Sequence, residues 1–123
     1  MIKRNSLLAP GLYFVATPIG SSRDITLRVL DILANVDILV AEDTRSLRKL
    51  MKIHSVAVNE RPILAYHDHN GARIRPKLVK YLQEGRSVAY ASKAGTPLIA
   101  DPGFDLSKTA VEAGFFVTTA PGP

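Results

Sequence analysis

The sequence predicts one α/β domain, with a mostly parallel five-stranded sheet flanked by helices. Short apolar segments rich in β-branched and aromatic residues alternate with segments whose apolar residues recur every three or four positions. This order is β-α-β-α-β-α-β-α-β, and parallel strands need such crossover helices between them. The 123 residues, 46% of them apolar, are enough to bury one packed core.

Two periodicities place the elements along the chain. Continuous apolar segments predict strands over residues 12–16, 38–41, 63–66, 87–91 and 115–119. Asp24 is the predicted N-cap of the first helix, and the second helix covers residues 44 to 53. The third helix is expected to begin close to Pro76 and to end at Gly85, and the fourth to end at Gly114.

Composition excludes several classes of protein. The chain has no cysteine, which rules out disulfides, thiol catalysis and thiolate zinc sites and is compatible with the cytoplasm. No apolar segment is long enough to span a membrane, and residues 1–10 are expected to be an N-terminal extension rather than a signal peptide. We therefore expect a cytoplasmic protein without a membrane partner.

The positive charge is concentrated in the middle of the chain. Residues 41–80 contain nine Lys and Arg against four acids, whereas the remaining residues contain seven of each sign. A basic surface of this kind attracts polyanions, of which RNA and DNA are the commonest. Solvated helix faces would produce the same composition, so charge alone leaves both interpretations open.

The loops that follow the strands are the unusual parts of the sequence. In parallel sheets, ligands bind at the carboxyl ends of the strands. The loops expected there read TPIG (17–20), EDTR (42–45), HDHN (67–70), SKAGTP (92–97) and APGP (120–123). None of them is a phosphate-binding fingerprint, because both G-x-G-x-x-G and G-x-x-x-x-G-K-[ST] are absent. Together they predict a binding face along one edge of the sheet.

Individual side chains at this edge suggest limited chemistry. Glu42 can act as a base or accept from a hydroxyl, whereas Asp43 is expected to cap the second helix. His67 is a candidate for contacting a ligand, and without a third nearby ligand residue no metal site is expected. Arg45, Arg48 and Lys49 are predicted anion contacts because they directly follow a strand-end loop.

Five stretches in this order carry a resemblance to a known family: GLYFVATPIG, RDITLRVLDIL, ILVAEDTRSLRKL, YHDHN and AGTPLIADPGFDL. They resemble the amino-terminal domain of the tetrapyrrole methylase fold family. Within it they are most similar to the ribosomal RNA small-subunit methyltransferase I branch, which methylates a cytidine 2′-hydroxyl of 16S rRNA with S-adenosylmethionine. The resemblance implies that residues 11–123 form the amino-terminal domain of a commonly dimeric, two-domain enzyme, whose cofactor lies between the domains.

The resemblance also implies roles for individual residues. Pro18 and Gly20 would shape the floor of the cleft, and Asp101 would support a loop or touch the ligand. Glu42 and His67 would position or deprotonate the 2′-hydroxyl. The residues that would line the cofactor are Ser92, Ala94, Gly95, Thr96 and Pro97. The residues that would contact 16S rRNA are Arg23, Arg45, Arg48 and Lys49.

The sequence departs from the family pattern in two main places. The family continues through a carboxyl-terminal domain beyond the point where this chain ends, so little activity is expected from the chain unaided. Lys93 stands where the family usually has aspartate, and a cation there should weaken binding of a cofactor that carries a sulfonium and an ammonium. Two alternatives stay open: a tetrapyrrole-precursor C-methyltransferase, and a non-catalytic module for RNA binding or dimerisation.

Overall fold

The computed structural model describes residues 8–17, 24–67, 70–93 and 103–120. Within these residues five strands and four helices alternate in the predicted order. The strands are β1 (Gly11–Thr17), β2 (Ile38–Ala41), β3 (Ile63–Ala65), β4 (Ser87–Lys93) and β5 (Val117–Ala120). The helices are α1 (Leu27–Asn35), α2 (Thr44–Ile53), α3 (Gly71–Gln83) and α4 (Gly103–Glu112).

All strand pairings described are parallel, which confirms the predicted fold class. The sheet has the order β3-β2-β4-β1-β5, so β2, β4 and β1 are the central strands and β3 and β5 are the edge strands. Only β2 and β3 are neighbours both along the chain and in the sheet. The other connections skip over a strand, which periodicity alone does not predict.

The sheet is covered on both faces by two helices each. Because successive strand residues point to opposite faces, Tyr13 and Val15 belong to one core and Leu12 and Phe14 to the other. The first core includes residues of α1 and α2: Val29, Ile32, Leu33, Leu47 and Met51. The second core includes residues of α3 and α4: Leu78, Leu82, Leu106 and Ala110. Burial on both faces explains why the strands are almost continuously apolar.

The cap of α1 corrects the sequence prediction. Thr26, rather than Asp24, is the N-cap, and its hydroxyl accepts a hydrogen bond from the N–H of Val29 at 3.1 Å. Thr26 has the extended backbone that a cap requires, whereas Asp24 is exposed two residues earlier. Threonine and aspartate side chains both accept such a bond, so residue type alone does not show which of Thr26 and Asp24 is the N-cap.

The start of α3 is also different from the prediction. The helix begins at Gly71, and Pro76 lies inside it. Asn70 is the preceding residue, and its backbone carbonyl accepts from the N–H of Ile74 at 3.0 Å. The expectation was wrong because proline was assigned to a first turn, where its missing N–H has no cost. Here the helix tolerates an exposed proline one turn further in.

The amino ends of β2 and β4 are joined by a reciprocal polar contact. The carboxylate of Asp37 accepts from the N–H of Ser87 at 2.9 Å and from its hydroxyl at 3.2 Å. In return the hydroxyl of Ser87 accepts from the N–H of Asp37 at 3.0 Å. Ser87 is fully buried, so these bonds satisfy polar groups that water does not reach.

Candidate active site

The carboxyl ends of four strands lie side by side along one end of the sheet. In the following, "edge" means this carboxyl end and not the outer strands β3 and β5. The register aligns the small residues Ala65, Ala41 and Ala91 of three neighbouring strands. Glu42 follows β2, Ser92 lies at the same level in β4, and His67 comes two residues after β3. Thr17 ends β1 opposite Lys93. The order along this edge is therefore His67, Glu42, Ser92 and Thr17.

The topology predicts a crevice at this edge, because two neighbouring strands send their connections in opposite directions. From β2 the chain passes through α2 to β3, on the face that α1 and α2 cover. From β4 the chain passes through α4 to β5, on the face that α3 and α4 cover. Such a divergence marks the ligand-binding point of open α/β sheets. Here it lies between Glu42 and Ser92.

Ser92 is held in place by a side chain of the next strand. The hydroxyl of Thr17 donates to the carbonyl of Ser92 at 2.9 Å, which fixes the end of β4 against the end of β1. Strand alternation places the Ser92 side chain on the same face as Tyr90, towards α3 and α4. Sequence reasoning missed Thr17, although a hydroxyl residue at the end of a strand is a recognisable signal.

The turn that carries His67 is organised by Asn70. The Asn70 amide oxygen accepts from the N–H of His67 at 2.8 Å, and its amide nitrogen donates to the carbonyl of Ala65 at 2.9 Å. These bonds connect the end of β3 to the start of α3, and His67 is half-buried beside them. Asn70 was not among the predicted site residues, yet asparagine in a strand-to-helix turn is typical of this arrangement.

Asp43 caps α2, as the sequence predicts, whereas its neighbour Glu42 takes no part in the cap. The Asp43 carboxylate accepts from the N–H groups of Arg45 and Ser46 at 3.0 and 3.2 Å, and caps α2. Hydrogen bonds from the backbone and then the hydroxyl of Ser46 lower the pKa of Asp43 below its ordinary value of 3.8. Glu42 is exposed at the edge, where it can meet a ligand.

The helix α2 carries a cationic stripe along its length. We use this name for Arg45, Arg48, Lys49 and Lys52, which are all exposed and form four pairs at spacings of three or four residues. The helix contains no acid, so each close pair is of like charge and destabilises the helix by about 0.2–0.5 kcal/mol. Lys52 was absent from the predicted anion contacts, although its spacing from Arg48 is a sufficient signal.

Two arginines of the basic middle region are engaged within the fold instead. The guanidinium of Arg61 donates to the carbonyls of Leu33 at 2.7 Å and Val36 at 2.9 Å, near the end of α1. Partial burial lowers the pKa of Arg61, partly opposed by the Asp37 carboxylate. Arg75 has a different set of partners. It donates to the Tyr66 hydroxyl at 3.1 Å and to the Asp105 carboxylate at 3.5 Å.

Eight of the predicted site residues lie outside the described residues. They are Pro18, Gly20, Arg23, Ala94, Gly95, Thr96, Pro97 and Asp101. The six that the structure does describe are Glu42, Arg45, Arg48, Lys49, His67 and Ser92. Glu42 and His67 follow β2 and β3, and Ser92 lies near the end of β4. The three cations share the exposed side of α2, with only Arg45 in its first turn.

The described residues form neither a metal-ligand cluster nor a membrane-spanning helix. Over residues 8–17, 24–67, 70–93 and 103–120, no three His, Cys, Asp or Glu side chains come together as a metal ion would require. In the same ranges, no helix has both the length and the apolar character needed for a membrane crossing.

An open parallel sheet covered on both faces, with a crevice between diverging connections, defines a ligand-binding α/β domain. The family to which this domain belongs is given by its similarity to known proteins. The chain belongs to the family of tetrapyrrole (corrin/porphyrin) methylases, whose family model matches residues 11–123.

Curated relatives with the name ribosomal RNA small subunit methyltransferase I are similar over most of the chain. That of Mesorhizobium japonicum is 49% identical over 116 residues, which are 94% of this chain and 38% of that protein. That of Escherichia coli O157:H7 is 47% identical, covering 91% of this chain and 38% of that protein. That of Bacillus subtilis is 40% identical, covering 90% and 37%. The chain is thus homologous to their amino-terminal part and spans under two fifths of their length.

Solved structures show the same fold at much lower identity. A cobalt precorrin-4 methyltransferase of cobalamin biosynthesis superposes with a TM-score of 0.74 at 16% identity, covering 90% of this chain and 45% of that one. A conserved hypothetical protein of Aeropyrum pernix K1 superposes with a TM-score of 0.73 at 20% identity, covering 94% and 39%. At these identities the likeness concerns the fold alone.

Proposed function

We propose that this chain supplies the amino-terminal half of an S-adenosylmethionine-dependent methyltransferase, which acts on a cytidine ribose 2′-hydroxyl of 16S rRNA. The observation that carries the proposal is 40–49% identity to the rRNA methyltransferases over about nine tenths of the chain. The crevice between β2 and β4 supports it, because this is where such a sheet binds a ligand. The cytoplasm, where ribosomes are, is the location that this function requires.

The described residues at the crevice fit an S-adenosylmethionine molecule. Ala41 and Ala65 end β2 and β3, and Ala91 lies at the same level of β4, so the strands beside the crevice carry small side chains there. The Ser92 hydroxyl offers both a donor and an acceptor, and the exposed Glu42 offers a negative charge to a cationic group. When bound, the cofactor supplies an activated methyl group. The loop residues 18, 20, 94–97 and 101 belong to the same proposal.

The chain's own contribution to methyl transfer is positioning. Transfer to an oxygen requires that the hydroxyl be aligned with the methyl group and that its proton be able to leave. We assign alignment or proton removal to Glu42 and His67, which follow neighbouring strands on one side of the crevice. The cations that would hold the rRNA by its phosphates are Arg23, Arg45, Arg48 and Lys49.

A homodimer completes the proposed assembly, and its mass can be measured by analytical ultracentrifugation.

The test measures transfer of a labelled methyl group. The chain is assayed alone and fused to the carboxyl-terminal remainder of the Mesorhizobium japonicum relative, with unmethylated small ribosomal subunits or a tetrapyrrole precursor as acceptor. We expect the fusion to label RNA, with the label in a 2′-O-methylated cytidine after digestion. Glu42→Gln and His67→Gln should each lower the rate, whereas Glu84→Gln, at the opposite edge of the sheet, should not.

The other outcomes decide between the alternatives. Label on the tetrapyrrole would replace the RNA proposal by C-methylation of a tetrapyrrole precursor. Binding of ribosomal RNA without label from either the chain or the fusion would favour a non-catalytic module. A fusion that is folded and binds the cofactor but labels neither acceptor would contradict both enzyme proposals.

A further inference from the structure

A shallow groove lies at the far end of α2 from the crevice. It has a volume of about 390 Å³ and is lined by Arg48, Lys52, Ser55, Val56, Ala57 and Val58. Val56 and Val58 are half-buried and pack against the core beneath α1 and α2, so they form an apolar floor. Two cations and a hydroxyl border this floor. The groove lies outside the active-site edge already described.

The wall of the groove is built by an unusual helix end. After α2 the N–H of Val56 donates to the carbonyl of Met51 at 2.8 Å, and that of Ser55 to the carbonyl of Lys52 at 3.1 Å. This pair of bonds is a Schellman motif, whose left-handed position is normally occupied by glycine. Ser55 occupies it with φ of 59° and is exposed. The chain therefore keeps a hydroxyl side chain at the groove where glycine would be less strained.

The cationic stripe connects the groove to the active-site edge. Arg45 lies in the first turn of α2 beside Glu42, and Lys52 lies in the last turn beside the groove. Ten helical residues extend about 15 Å, so the stripe crosses much of the domain on one face. Arg48 belongs to both features, since it is in the stripe and lines the groove.

We propose that the groove holds one nucleotide of a single-stranded RNA segment that follows the cationic stripe away from the active site. Its phosphate would bind Lys52 and Arg48, its ribose would reach the Ser55 hydroxyl, and its base would lie on Val56 and Val58. The inference rests on the proposed RNA substrate and adds a second contact outside the catalytic edge. Positive charge beside an apolar floor is complementary to a nucleotide, which combines an anionic phosphate with an apolar base face.

An acidic polypeptide is the other polyanion that could follow the stripe. It has carboxylates for the cations but no flat apolar group for the floor of the groove. Single-stranded RNA is favoured over a duplex for the same reason, because bases in a duplex are stacked on one another and are not free to lie on a protein surface. The test therefore compares single-stranded RNA with an acidic polypeptide and with duplex RNA.

The first experiment measures how the affinity of the 123-residue chain for a short single-stranded RNA depends on salt, by fluorescence anisotropy. Removing one phosphate contact lowers the slope of log K against log salt by about 0.7. We expect this decrease for Lys52→Ala. Lys80→Ala is the matched control, because Lys80 is exposed in the last turn of α3 on the other face of the sheet. The salt slope of this variant should equal that of the unsubstituted chain.

The second experiment locates the RNA. The chain has no cysteine, so Ser55→Cys can be labelled at one position with a benzophenone maleimide and irradiated with the RNA. We expect crosslinking from position 55 and none from Gln83→Cys, an exposed site at the end of α3. Circular dichroism of each variant verifies that the fold is retained.

The outcomes separate this proposal from the proposed function. If Arg45→Ala and Lys49→Ala lower the salt slope while Lys52→Ala does not and position 55 gives no crosslink, the groove assignment is wrong and the RNA substrate stands. Competition by polyglutamate or duplex RNA as strong as that by polyuridylate would also overturn the groove assignment. Failure of the unsubstituted chain to bind any RNA would overturn the groove together with the RNA contacts of α2.

Discussion

At the scale of single residues, the arginines of the basic middle region divide into two groups. Arg61 donates to carbonyls at the end of α1 and in the segment between α2 and β3, including those of Val36 and Ala57. Arg48, on the exposed face of α2, is free of such bonds to the described residues and is available to a partner. Composition counts both residues alike, whereas only Arg48 belongs to the proposed RNA-binding surface.

Arg61→Met should destabilise the protein without changing its RNA contacts. The substitution keeps the apolar stem but leaves several carbonyls without a donor, at a cost of about 1–3 kcal/mol in the free energy of unfolding. Urea denaturation measures this loss. Arg61→Lys should recover little of it, because an ammonium lacks the planar set of donors.

Arg48→Ala should show the reverse, a weaker affinity for RNA with nearly unchanged stability.

The cap formed by Asp43 should make stability depend on pH. The carboxylate is hydrogen-bonded only in the folded state, so its folded pKa is below the ordinary 3.8. A depressed pKa stabilises the fold at pH values above about 4, and this stabilisation is lost as the pH falls through the folded pKa. We expect Asp43→Ala to lower Tm by a few degrees at neutral pH.

The same comparison at acid pH tests the assignment. Once the pH has fallen below the folded pKa, the carboxyl is protonated in both states, so wild type and Asp43→Ala should differ much less in Tm. Asp31→Ala, which removes an exposed carboxylate from α1, is the control and should not reproduce the loss at neutral pH. A difference that stays constant below that pH would contradict a role for the ionised cap.

At the scale of whole elements, helix ends differ most from what residue types suggest. Pro76 should begin a helix, yet α3 starts five residues earlier because Asn70 bonds to the end of β3 and sets the turn there. Ser55 follows the C-cap of α2 in a conformation that favours glycine. The bonds of Asn70 to β3 in the first case, and the two bonds that close α2 in the second, outweigh a local preference of at most about 3 kcal/mol.

Pro76→Ala should stabilise α3. The substitution restores an N–H that can donate to the carbonyl of Ala72 one turn earlier, and it removes the clash of the ring with that carbonyl. Proline in a helix interior costs about 3 kcal/mol relative to alanine, and part of this is offset because alanine leaves the unfolded chain more flexible. Thermal unfolding should show a higher Tm. Pro62→Ala, outside the helices, should not raise it.

At the scale of the whole molecule, the site depends on residues far apart in the chain. Thr17 bonds to the carbonyl of Ser92 across 75 positions, and Glu42 lies at the neighbouring strand end. The crevice therefore exists only when β1, β2 and β4 are paired. Unfolding of any central strand should abolish ligand binding completely rather than partially.

Lys93→Asp tests how the family's cofactor site is adapted in this protein. Lys93 ends β4 beside the crevice, where the family pattern has an acid and the proposed cofactor carries positive charge. In the fusion with the relative's carboxyl-terminal remainder, we expect Lys93→Asp to bind S-adenosylmethionine several-fold more tightly by calorimetry. Lys108→Asp makes the same change of charge on α4 and controls for net charge. Equal affinities in all three proteins would refute the assignment.

Much of the fold was predictable because burial on both faces imposes a strong pattern. Strands that are covered by helices on each side must be apolar throughout, and each helix must present an apolar stripe, so the number and order of elements follow from periodicity. The edge at which Glu42, His67 and Ser92 lie was also predictable, since every parallel strand ends at the same side of the sheet. Thr17, Asn70 and Lys52 were missed because polar residues of ordinary type acquire roles only through their neighbours.

The α/β class, the alternation of elements and the carboxyl edge as the candidate binding face follow from the amino-acid sequence, because hydrophobic periodicity and strand direction are local properties of the chain. The order β3-β2-β4-β1-β5, the crevice between β2 and β4, and the engagement of particular arginines inside the fold follow from tertiary contacts. Strand order and side-chain partners depend on contacts between residues distant in sequence. Several arrangements satisfy the same periodicity, and packing selects one of them.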